Sequence, residues 1–133
     1  MSHIYAGDKI YIETMKDFLV MAKEEINKAK KEFDKERKDI YYRQAGEKCY
    51  NAIWQLAFLL NKNEFTKHDD LDRFYENTRR INKSTAYALM NTGRALHENF
   101  YHGHIAKERI ENAVNYMSDL INAILKDLEV GII

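Results

Sequence analysis

Proline is absent from this chain of 133 residues, and glycine occurs only five times. Turns of sheet proteins draw on both residues and helix interiors exclude the first, so the shortage points to helices. A single cysteine, Cys49, excludes an internal disulfide and a disulfide-stapled scaffold. It falls on a helical apolar stripe, and a reducing compartment with the thiol as a core filler is expected. Charge of one sign is lacking too. Twenty-one Lys and Arg stand against 21 Asp and Glu, so no global field draws the chain to nucleic acid or to an anionic membrane. The longest strongly apolar stretch, Ala52 to Leu60, is too short to span a bilayer, and Met1 to Lys9 has no signal-peptide core. The expected location is the cytoplasm, with no membrane partner.

Several chemical signatures are also missing. Carboxylate-bridged metal sites in helical bundles use Glu-x-x-His pairs, which place two ligands on one helix face, and no such pair occurs. Gly-rich phosphate loops, a nucleophile elbow and CxxC pairs are absent as well, so no cofactor or metal is expected. The cluster His68, Asp69 and Asp70 lies in a polar stretch and reads as a solvated helix entrance rather than a metal site.

What is present is helical periodicity. Hydrophobic residues make up 45% and charged residues 32% of the chain, the balance of a globular protein. From Asp8 to about Lys38, Met15, Phe18, Leu19, Ala22, Ile26, Ala29 and Phe33 recur at steps of three and four, which predicts one long amphipathic helix. A link through Glu36, Arg37, Lys38 and Asp39 leads to a second helix, Ile40 to Leu60, striped by Ala45, Cys49, Ala52, Ile53, Leu56 and Leu59. A loop over Asn61 to Asp70 precedes a short helix marked by Leu71, Phe74, Tyr75, Thr78 and Ile81. Ser84 or Thr85 caps the next helix, which carries Ala86, Leu89, Gly93, Leu96 and Phe100 and stops at Gly103. The last helix runs from about Ile110 to Gly131. The expectation is one all-α domain over 1–133, an up-and-down bundle of four long helices plus one short one. Gly46 and Gly93 fall inside helices, where each is about 1 kcal/mol worse than alanine, so close approach of two backbones is expected there.

Most of the nine tyrosines, six phenylalanines and one tryptophan sit at core spacing. Tyr5, Tyr11, Tyr41 and Tyr42 are less clearly inward and are read as a partner surface.

The segment richest in chemistry is Arg94 to His104. At about 100° per residue, Arg94, His97 and Tyr101 fall within about 60° of one another, at the edge of the apolar stripe. A guanidinium, an imidazole and a phenol so placed can hold a phosphodiester and move a proton on it. His102 and His104 lie close by in sequence. The bland reading pairs Arg94 with a glutamate of a neighbouring helix and sets the histidines against the helix dipole.

Two stretches carry a family resemblance. Arg43-Gln-Ala-Gly-Glu47-Lys48-Cys-Tyr50-Asn-Ala, followed about fifty residues later by Ala95-Leu-His97-Glu-Asn99-Phe-Tyr101 and an amphipathic last helix, resembles the archaeal PaREP-type paralogues, which resemble the wider HEPN superfamily. The resemblance implies a helical bundle of four or five helices that forms homodimers and is found beside minimal nucleotidyltransferases, in toxin-antitoxin pairs and in RNA-directed defence. Active HEPN ribonucleases carry an arginine, four to six residues, then a histidine, and cut RNA without metal. Here two residues separate Arg94 from His97 and seven separate it from His102, so neither histidine has the family spacing.

The leading expectation is therefore a divergent HEPN-like domain that self-associates and binds nucleotide or RNA phosphate. Its groove is marked by Glu47, Arg94, His97, Asn99 and Tyr101, with His102 and His104 near. Should it cut RNA, His97 or His102 is the acid-base group and Arg94 the phosphate clamp; Glu47 orients Arg94 or His97 from the second helix. The rival is a non-enzymatic interaction module. A third reading, a helix-turn-helix binder, uses Arg79, Arg80 and Lys83.

Overall fold

The structure, a computed structural model, describes residues 8–61 and 83–129. Four helices account for nearly all of them: α1 (Lys9–Lys31), α2 (Lys35–Asn61), α3 (Lys83–His102) and α4 (Lys107–Glu129), with no strand among the described residues. The all-α bundle is as expected. The predicted loop at Asn61 to Asp70, the short helix after it, the His68, Asp69 and Asp70 cluster, Arg79, Arg80, Tyr5 and Gly131 lie outside the described residues, Asn61 itself excepted.

Helix α2 occupies the centre and packs against α1, α3 and α4. Its composition requires this. Tyr42, Ala45, Cys49, Tyr50, Ala52, Ile53, Trp54, Leu56, Ala57 and Leu59 are all buried and wrap most of the cylinder, whereas α1 and α4 each bury one stripe. On α1 that stripe is Ile12, Met15, Leu19, Ala22, Ile26 and Ala29; on α4 it is Ile110, Val114, Met117, Ile121, Ile124 and Leu125. An ion pair between Lys30 Nζ and Glu111 Oε2, 2.6 Å, joins α1 to α4 at the surface.

The turn between α1 and α2 lies earlier than the periodicity suggests. α1 ends at Lys31 rather than near Lys38, and Glu36 to Asp39 belong to the first turns of α2 rather than to a link. The reversal is made by Glu32, Phe33 and Asp34. Asp34 caps α2: its Oδ2 accepts from the Arg37 backbone N–H at 3.0 Å, and its own N–H donates to Glu32 Oε1 at 3.2 Å. Phe33, expected on the core stripe, is 100% exposed in this turn. Tyr42 corrects the expectation in the other direction, being buried. Tyr11 rests against Phe58, ring centroids 6.2 Å apart, and Tyr41 packs half-buried on the core.

Close approach of α2 and α3 depends on the two helical glycines. A Cβ on Gly46 would lie 3.1 Å from Leu96 Cδ2, and one on Gly93 would lie 2.9 Å from Ile53 Cδ1. Gly46 meets Leu96 while Ile53 meets Gly93, so positions rise along one helix as they fall along the other: the pair is antiparallel. No helix among the described residues is long and apolar enough to cross a membrane.

Two outcomes follow. Gly93→Val should lower stability by about 1–3 kcal/mol in urea denaturation, because the branched side chain overfills a closed helix contact. Cys49 is fully buried, and burial pushes its thiol up from 9.0 to about 12. The folded chain therefore keeps that proton over a range where the unfolded chain releases it. Stability attributable to Cys49 should be intact below pH 9 and decline as pH rises from there towards about 12. A thiol reagent at neutral pH should react only at the rate of unfolding; fast stoichiometric labelling of the folded protein would contradict this burial.

Candidate functional site between α2 and α3

Glu47 and Tyr50 lie three residues apart on α2, and Gly93 and His97 four apart on α3, so each pair projects from one helix face. Because Gly93 has no side chain, Tyr50 settles against that part of α3, with Cδ1 3.6 Å from where a Cβ would stand. The imidazole of His97 then stacks on the Tyr50 ring, centroids 4.3 Å apart and planes 17° apart. Its Nδ1 lies 2.9 Å from Glu47 Oε1 and 3.2 Å from Oε2. An ionised carboxylate only accepts, so against ionised Glu47 it is Nδ1 that carries the hydrogen of this bond. Tyr101 meets the same imidazole edge-on at 5.3 Å. The dyad is half-buried, with side-chain exposures of 28% for His97 and 18% for Glu47, so it borders solvent.

The Tyr50 phenol registers the local charges. Burial raises its pKa first of all, the hydrogen bond with the Trp54 indole opposes that rise, the Glu47 carboxylate adds to it and the Arg94 guanidinium lowers it. Arg94 thus lies near enough to stabilise negative charge at this spot. It is exposed, and among the described residues no carboxylate pairs with it. The alternative in which Arg94 is sealed by an ion pair does not match this placement.

Glu47, His97 and Tyr101 therefore come together, and Arg94 stands exposed on the same side of α3; the other three sequence candidates lie elsewhere. Asn99 is 1% exposed and turned inward: its Oδ1 accepts from the Ile105 backbone N–H at 2.7 Å, and its carbonyl accepts from Gly103 N–H at 2.8 Å. It ties down the turn after α3. His102 ends α3 in an exposed position, about 140° around the helix from His97. His104 lines a separate cavity beside α4 with Arg109. Tyr50, which sequence reasoning assigned to core bulk, is the floor of the crevice; its signal was the three-residue step from Glu47. Arg43, held to Asp39 by an ion pair of 2.7 Å, covers Gly103 so closely that any Cβ there would overlap its guanidinium. Gly103 also has φ of 66°, the left-handed conformation that ends a helix. Among the described residues no three His, Cys, Asp or Glu side chains gather as a metal-holding group.

Asn99→Ala leaves the half-buried Ile105 N–H without its acceptor and should lower stability by about 1 kcal/mol in thermal or urea unfolding. Ligand binding in the crevice should survive the change, since Asn99 faces away from it. Comparison with known proteins returned no match to a family model, to a curated protein or to a solved structure.

Proposed function

We propose that this chain is a HEPN-like helical domain that self-associates and binds nucleotide or RNA phosphate in the α2–α3 crevice. The observation that carries the reading is the Glu47–His97 hydrogen bond at a half-open edge on the helix that also carries the exposed Arg94, with which no carboxylate pairs among the described residues. Arg94 supplies charge-assisted donors for a phosphate. Glu47 fixes which imidazole nitrogen works. Tyr87, Arg94 and Tyr101 are spaced seven residues apart on the outer face of α3, roughly 10 Å per step. Both tyrosines are exposed, 43% and 64%, and such aromatic rings beside a guanidinium suit bases stacking on either side of a bound phosphate.

In the cleaving version of this reading, His97 Nε2 accepts the proton of a ribose 2′-hydroxyl as that oxygen attacks the adjoining phosphorus. The bond to the 5′-oxygen breaks, the imidazolium returns the proton to it, and a cyclic phosphate remains. Arg94 neutralises the added charge on the non-bridging oxygens. His102, lying elsewhere on the helix, has no part in that step. A homodimer would set two such crevices side by side, and a minimal nucleotidyltransferase is the partner the resemblance implies.

The test is a fluorescence titration with single-stranded RNA and with nucleotides at two salt concentrations, alongside a cleavage assay. Arg94→Ala should weaken RNA binding about tenfold or more, with a shallower salt dependence. His97→Ala should abolish any cleavage while helicity and melting temperature hold nearly constant. RNA binding unchanged in Arg94→Ala would overturn the reading.

A further inference from the structure

On the other side of α3, Asn91, Thr92, Ala95 and Leu96 line a cavity of about 420 Å³ together with His104, Ile105 and, from α4, Arg109 and Ala113. That volume falls within the range of small-molecule sites, about 300–1,000 Å³. Its lining has the usual composition: Ala95, Leu96, Ile105 and Ala113 supply apolar surface, and Asn91, Thr92, His104 and Arg109 supply a few polar groups.

Two observations give the Arg109 side of the cavity a positive bias. Arg109 stands in the first turn of α4, where the helix dipole already disfavours a cation. Among the described residues no carboxylate pairs with Arg109, and Glu108 is exposed and does not line the cavity. The carboxamide of Asn99 lies on the same face of α3, seven, four and three residues after Thr92, Ala95 and Leu96. Its Oδ1 is used by Ile105 N–H, but its buried Nδ2 has no acceptor among the described residues. A buried donor without an acceptor is costly, but Asn99 is not among the residues that line the cavity, so the positive bias rests on Arg109.

We infer that the α3–α4 cavity is a binding site for a small organic anion, a phosphate or carboxylate carried on a flat apolar body. Arg109 and His104 hold the anionic group, Asn91 and Thr92 hydrogen-bond the body's polar edge, and Ala95, Ile105 and Ala113 cover its apolar faces. The site is independent of the α2–α3 crevice: Ala95 and His97 point about 160° apart around α3.

Calorimetric titration with phenyl phosphate, benzoate and inorganic phosphate tests this. One or both organic anions should bind saturably, and which of them binds identifies the head group. Arg109→Gln should weaken binding about tenfold, the loss expected for one charge-assisted contact. Ala95→Phe, which fills the cavity at a half-exposed position, should abolish binding with the melting temperature retained, and Arg94→Ala should leave binding unchanged. The inference is overturned if neither organic anion binds, if inorganic phosphate binds as tightly as phenyl phosphate, or if Arg109→Gln binds like wild type. Binding lost in Arg94→Ala but kept in Arg109→Gln places the anion in the crevice, which refutes this site and leaves the proposed function standing.

Discussion

The close antiparallel contact of α2 and α3 at Gly46 and Gly93 sets everything that follows. Each glycine gives up about 1 kcal/mol of helix propensity. What that concession brings is a backbone separation small enough for Leu96 to reach across to α2 and for Ile53 and Tyr50 to reach across to α3. The same register brings the Glu47 carboxylate to the His97 imidazole. Larger residues at either glycine would part the helices, and a 2.9 Å hydrogen bond does not tolerate a separation of an ångström. Apolar packing and the polar dyad are thus two readings of one register.

Tyr50 joins the core to the crevice. It is among the most fully buried large side chains, yet one ring face carries the imidazole that borders solvent. A site resting on such a residue inherits the rigidity of the central helix rather than the mobility of a loop, which favours groups that must hold a fixed geometry. The far end of the α2–α3 contact is closed differently. There Arg43 lies over Gly103, and Asn99 gathers both the Gly103 and Ile105 N–H groups, so the turn into α4 is fixed by polar contacts.

Much of this fold was legible in the sequence because amphipathic stripes with a period near 3.6 survive translation into structure. The α1–α2 turn was not, since no glycine or proline marks it. Phe33 follows Ala29 by four residues and so extends the apolar pattern past the true end of α1, while the real signal, Asp34 as an N-cap, sat among other charges. At the crevice, angular arithmetic grouped Arg94, His97 and Tyr101, and the α3 helix keeps His97 and Tyr101 in contact. The same arithmetic puts Asn99 about 140° from Arg94, on the inward side. Its grouping with the site followed the resemblance rather than the geometry. Glu47, about fifty residues away, is beyond the reach of periodicity; only the packed register brings it to His97.

Charge density distinguishes α3 from the other helices. Ten of the 23 residues of α1 are Lys, Asp or Glu, the composition of a face kept in water; in α3 only Lys83, Arg94 and Glu98 of 20 are charged. A helix with so few charges solvates its outer face poorly and leaves Tyr87 and Tyr101 exposed on either side of one guanidinium. Isolated apolar residues on a surface need no explanation, but here they lie in register with a cation, and Tyr101 meets the imidazole of the carboxylate–imidazole dyad. On α1 the exposed Ile10, Val20 and Met21 are set among charges of both signs, Glu13, Lys16 and Asp17 before Val20 and Lys23 and Glu24 after Met21. The low charge of α3 therefore suits the face proposed to meet a ligand, with Arg94 midway between the two exposed tyrosines.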